Sequence, residues 1–226
     1  MSPFIPYEAL AILPVAFLLG SAFNPIEFSW AFRHGLDQLP DDVRERAATV
    51  GRYANFLGDG LILGLVAVLM MKHSVAAARV GLHLAKWKTN IAVGTAAGVL
   101  LIGLQRLAIK SVPRGRPSPF AYRVRRGSVS LWVIVFAAGA FSEELWMAFC
   151  LVSLATTGHP VIVSIAITET VFAAVHYGYR LGGMVAVGLK GTLSAILFIW
   201  CGSLIPMVLV HFIGNLGSLF WARHRQ

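Results

Sequence analysis

Two adjacent carboxylates, Glu143 and Glu144, lie inside an apolar stretch, residues 131–154, that is long enough to cross a bilayer as a helix. A carboxylate at the centre of a membrane helix opposes insertion by about 2.5 to 3.5 kcal/mol, so a pair there needs something to receive it. Later apolar segments supply candidates: Glu169, His176, Lys190, His211 and Asn215. Ionisable groups submerged in this way are by default functional candidates that face one another or a wet cavity. Phe172 and His176 are spaced i, i+4, as are His211 and Asn215, so each pair shares a helix face. Glu143 and Glu144 diverge by about 100°, which lets one face a cavity while the other braces a neighbouring helix.

A carboxylate, two imidazoles and an amide are equipped to hydrolyse a peptide bond. A Glu can take a proton from water, a His can hold that water, and a second His with an Asn amide can donate to the oxyanion that forms on the carbonyl. No serine or cysteine stands beside a base: Ser142 precedes the carboxylates, and Cys150 lies two turns beyond Glu143. A metal reading would use Glu143, His176 and His211 as ligands to a divalent ion such as zinc, with one position open. His-Glu-x-x-His occurs nowhere in the chain, so a site without metal or other cofactor is favoured. Each residue also has a structural reading: the Glu pair could brace helices, and each His could be a satisfied interior group. Their joint spacing favours chemistry. Glu169, two turns before His176, either orients the site or pairs with Lys190, while Phe172 packs beside His176.

The elements that must position these groups follow from composition. Of 226 residues, 57% are hydrophobic and 13% charged, and the mean hydropathy is +0.73, outside the range of soluble domains. Apolar runs too long for barrel strands choose helices, so the fold expected is all-α, a polytopic membrane bundle of about seven or eight helices. The spans fall near residues 9–23, 56–71, 90–108, 129–154, 161–177, 181–200 and 204–221. Residues 9–23 read as a retained first helix, since no Lys or Arg precedes them and no cleavage site follows. Residues 24–55 are polar and read as an interfacial or loop helix ahead of the second span. Gly94, Gly98 and Gly103 read as close-packing positions.

The formal charge of +9 comes from basic loops and points to topology and anionic lipid headgroups; nucleic acid is not an expected partner. Seven spans put the N-terminus outside, with Arg33, Arg44, Arg46, Arg52, the 110–126 loop, Arg180, Arg223 and Arg225 inside. The 72–88 segment, with Lys72, Arg79, Lys86 and Lys88, would then lie outside against the rule, which leaves room for one extra re-entrant or interfacial helix before Arg126. Residues 1–128 are expected to form N-terminal membrane helices with basic loops, and residues 129–226 a catalytic core within the same membrane domain.

Glu143-Glu144, Phe172-x-x-x-His176 and His211-x-x-x-Asn215, with Gly202-Ser203-Leu204-Ile205-Pro206 ahead of the last, resemble the three motifs of the CAAX protease and bacteriocin-processing (CPBP, or ABI) family of intramembrane endopeptidases. The resemblance covers roughly residues 129–221. It implies that Glu143 and His176 activate a water, that His211 and Asn215 stabilise the oxyanion, and that Glu144 supports them, with a glutamate-type mechanism favoured over a metalloprotease. The substrate implied is a membrane-associated peptide or a terminal signal, and the setting a multi-pass protein of a prokaryotic plasma membrane among its lipids. One departure stands out. The family's first motif usually runs Glu-Glu-x-x-x-Arg, and Ala148 occupies the Arg position. Lys190 is the candidate replacement cation; the alternative is a Glu144 that keeps its proton. A proton-coupled transporter, or a non-catalytic immunity or scaffold protein of the same fold, remains open on these residues.

Overall fold

The computed structural model describes residues 5–23, 41–110, 128–176 and 180–224, with side chains described over 6–19, 53–106, 128–176 and 183–220. Seven α-helices are described: α1 Ile5–Phe23, α2 Asp41–Lys72, α3 Trp87–Lys110, α4 Val129–Thr156, α5 Val161–Val175, α6 Arg180–Cys201 and α7 Leu204–His224. A 3-10 helix, Ala77–Val80, lies between α2 and α3. With no strand among the described residues, the protein is an all-helical bundle. Tyr53–Lys72, Trp87–Arg106, Val129–Thr156 and Gly183–Cys201 are each long and apolar enough to cross a membrane. The apolar parts of α1, α5 and α7 are shorter.

Residues 41–72 form one helix of 32 residues rather than a surface helix followed by a span. No proline interrupts it, and the polar first half is rich in Arg and Ala, which favour helix. At about 48 Å it outruns a ~30 Å hydrocarbon core, so its charged half extends beyond the lipid. The groups that would orient the bundle, Arg33, Arg44, Arg46, Arg52, the 110–126 loop, Arg180, Arg223 and Arg225, lie outside the residues whose side chains are described.

The segment between α2 and α3 contains that single 3-10 turn and no additional α-helix. It is pinned at both ends. Lys72 Nζ donates to Glu8 at 2.7 Å and His73 Nε2 pairs with the other Glu8 oxygen at 2.8 Å. Further on, the Leu204 N–H donates to Gly81 O at 3.1 Å. Gly81 has φ 77°, and a Cβ there would lie 2.6 Å from Leu204 N, so both the conformation and the contact require glycine. Because the Ala85 N–H donates to His83 Nδ1, His83 carries its proton on Nε2 and donates it to Gly202 O at 2.8 Å. The start of α1, the end of α2 and the α6–α7 turn therefore share one face, as an alternating seven-helix path requires.

α4 is the central helix and packs against α1, α2, α5, α6 and α7. Every residue from Glu144 to Leu151 is buried, the pattern of a helix enclosed on all sides. Trp146 Nε1–H donates to Ala9 O at 2.7 Å and ties α4 to α1. α3 closes on α7 through glycines from both helices. A Cβ at Gly94 would lie 2.7 Å from Pro206 Cα, one at Gly98 2.9 Å from Ile213, and one at Gly217 2.7 Å from Ile102. Such close approach replaces the hydrophobic drive that helices lack in lipid with dispersion contact. Gly103 meets nothing within 4 Å and takes no part in this seam. The two cysteines are free, Cys150 buried in α4 and Cys201 at the end of α6.

Candidate active site

The site forms where α4 faces α5, α6 and α7. His211, buried near the middle of α7, stands between the two adjacent carboxylates of α4. Its Nδ1 is 2.7 Å from Glu144 Oε1 and its Nε2 is 3.7 Å from Glu143 Oε2. The first is a hydrogen bond and the second exceeds one. Ser194 Oγ–H, from α6, adds a 3.3 Å bond to the same Glu144 oxygen. The division follows from helical divergence: Glu144 points inward and is fully enclosed, whereas the Glu143 side chain keeps 22% of its exposure. Glu143 Oε2 and Glu144 Oε2 have no hydrogen-bond partner.

His176 is not inside a membrane helix. α5 ends at Val175 and His176 is its C-cap, with φ −90° and ψ 19°. The ring still folds back over its own helix: Nδ1 is 2.7 Å from Phe172 O, one of the carbonyls that a helix end leaves without an intrahelical donor. A carbonyl only accepts, so Nδ1 carries the proton and, in the neutral ring, Nε2 is of acceptor type. Phe172, fully buried, separates the two imidazoles, with ring centroids 4.8 Å from His176 and 6.4 Å from His211, edge-on to both.

Glu169 is also buried, and neither of its oxygens has a partner. Its carboxylate occupies the space that a side chain at Gly191 of α6 would fill, since a Cβ there would overlap Oε2. Lys190, the neighbour of Gly191, runs past Gly214 of α7. None of the ion pairs among the described residues includes it. Ala148 is fully buried, so no cation reaches these acids from α4 itself. Asn215 lies one turn beyond His211, half-buried. Glu143, Glu144 and His211 are thus in direct contact, His176 joins them across Phe172, and Lys190 and Glu169 flank the group from α6 and α5.

A further acid, not among the groups singled out by spacing, borders the site. Asp59 of α2 accepts a 2.8 Å hydrogen bond from Ser142 Oγ–H, the residue before Glu143. It is the sole charged residue from Tyr53 to Met71, a signal that hydropathy alone carries.

The described residues hold no group of three His, Cys, Asp or Glu side chains placed to share a metal ion. The hydrogen bonds at Nδ1 of His176 and of His211 leave Nε2 as the atom either ring could offer an ion, and Phe172 is in contact with both rings. As arranged, Glu143, His176 and His211 do not close around an ion, and no step below is routed through one.

Fold and site together define an integral membrane protein with ionisable groups gathered in its interior. Residues 125–217 match the family described as type II CAAX prenyl endopeptidase Rce1-like. The match supports intramembrane endopeptidase activity of the CAAX type in general, and it contains all six residues of the three motifs. Asp59 lies outside it. No curated protein and no solved structure matched the chain.

Proposed function

We propose that the protein cleaves a peptide bond near the end of a membrane-associated peptide, with Glu143 as the base that activates water. The observation that carries this reading is the unequal clasp on His211, bonded to Glu144 at 2.7 Å and 3.7 Å from Glu143. Glu143 Oε2 has no hydrogen-bond partner, and its side chain, 22% exposed, is the less enclosed of the two. His176, through an acceptor Nε2, helps to hold the water. The water oxygen attacks the carbonyl carbon while its proton passes to Glu143. His211 Nε2–H and the Asn215 amide donate to the oxyanion, the C–N bond breaks, and Glu143 returns its proton to the leaving amine.

For His211 to donate through Nε2, the Glu144–His211 pair must hold two protons, one between Oε1 and Nδ1 and one on Nε2. That pair is neutral overall, the state a buried site tolerates best. Glu144 thereby sets the tautomer of His211 without touching substrate. The prenyl CAAX substrates named for the matched family suggest a peptide terminus carrying an apolar chain, delivered by the bilayer.

The test is cleavage of a lipid-bearing terminal peptide by the purified protein, followed by mass spectrometry. Turnover by wild type, its loss in Glu143→Gln, and indifference to a chelator would support the reading. Turnover retained in Glu143→Gln would overturn it, and loss on chelation would replace it with metal chemistry.

A further inference from the structure

The Asp59–Ser142 contact has no part in the hydrolytic scheme. An ionisable side chain half-buried in an otherwise apolar helix opposes membrane insertion, and Asp59 accepts a hydrogen bond from one neutral hydroxyl, 2.8 Å away. Gly139, one turn before Glu143, faces the same carboxylate: a Cβ there would stand 3.8 Å from both Asp59 oxygens, an ordinary contact distance. Ser142 is fully buried, and Gly139 O is a second acceptor 3.1 Å from its Oγ, so its single O–H lies between α2 and its own helix, closer to Asp59. Asp59 and Ser142 each lie about 20 Å from the C-terminal ends of their helices, at matching depth.

Helical geometry gives this contact a consequence. Ser142, Glu143 and Glu144 project from α4 at successive angles of about 100°. Ser142 is fastened to Asp59 on the α2 side, and Glu144 to His211 on the α7 side at 2.7 Å. Glu143 lies between the two fastenings, and rotation of α4 about its axis would have to break one of them to turn Glu143 away. We propose that Asp59 is a positioning residue for Glu143, acting through Ser142 to fix the rotation of α4 so that the catalytic carboxylate faces His211.

This rests on the reading of Glu143 as the base, and the Asp59 contact comes from a helix outside the family-matched segment. The test compares Asp59→Asn, which keeps an acceptor for Ser142, with Asp59→Leu and Ser142→Ala, which do not, in peptide cleavage by the full-length protein in membranes. The expected result is a fall of about 10- to 100-fold in kcat for Asp59→Leu and Ser142→Ala with KM within about twofold, and recovery of most of the rate in Asp59→Asn. Should wild type and Asp59→Leu cleave at the same rate while Glu143→Gln is dead, Asp59 has no positioning role although the base assignment stands. Equal loss in Asp59→Asn and Asp59→Leu would also overturn the proposal, because the acceptor would then not be what matters. If wild type fails to cleave at all, the base assignment falls and the positioning role falls with it.

Discussion

Glu144 and His211 meet through one hydrogen bond of 2.7 Å between Oε1 and Nδ1, with the carboxylate fully enclosed. The bond decides what the other ring nitrogen can do: with one proton between Oε1 and Nδ1, Nε2 donates only when the pair holds a second proton. Removing the ring in His211→Ala should lower kcat by about 10²- to 10³-fold, the usual effect of deleting an oxyanion donor. Glu144→Leu should approach that loss, while Glu144→Gln, which can still bond Nδ1, should lose less. Single-turnover rates would show the order; equal rates for Gln and Leu would mean that the bond does not set the tautomer.

Gly191 faces Glu169 with no room for a methyl group. Gly191→Ala must move the carboxylate or the helix, and overpacking of this kind costs about 1 to 3 kcal/mol. The variant should melt at a lower temperature in detergent. Combined with Glu169→Ala, which vacates the space, the same substitution should cost much less, and a double-mutant cycle measures the difference.

The α3–α7 seam offers a controlled comparison along one helix. Gly94→Ala would press against the backbone of Pro206 and Gly98→Ala against Ile213, so both should destabilise the bundle. Gly103→Ala, with nothing within 4 Å, should be neutral or stabilising by up to about 1 kcal/mol, since alanine favours helix over glycine. Thermal unfolding of the three variants would separate seam from surface.

The spans were legible because apolar runs of bilayer length leave few alternatives to helices, and the i, i+4 pairs could be read because helical spacing fixes which side chains share a face. Other features depend on contacts between distant segments. That residues 41–72 form one helix required knowing that the polar half leaves the lipid without breaking. His176 reads as part of a span, yet it caps one, because its ring satisfies a carbonyl that only the helix end exposes. The fit of Glu169 against Gly191 joins α5 to α6 and has no signature in either segment. Which nitrogen of His211 faces which carboxylate is likewise a matter of packing. Asp59 was visible in principle as a charge in an apolar run, but its meaning lies in Ser142, 83 positions away.

Glu8 stands ahead of the apolar stretch of α1 and ties it to the end of α2. Hydrogen bonds from Lys72 first, and His73 second, hold its carboxyl below the ordinary value of 4.5. A carboxylate depressed in the folded state contributes stability that is present above its unfolded value and lost as pH falls through the folded one. The difference in Tm between wild type and Glu8→Gln should therefore be constant near neutral pH and close on acidification below 4.5. A gap that persisted in strong acid would show that the charge of Glu8 is not what joins the helices.

The role of Glu143 is tested most directly by cleaving a lipid-bearing terminal peptide in ¹⁸O-labelled water and weighing both products. The account predicts one labelled oxygen in the new carboxylate for wild type, with and without chelator, and no cleavage for Glu143→Gln. Labelled product from Glu143→Gln at the wild-type rate would contradict it.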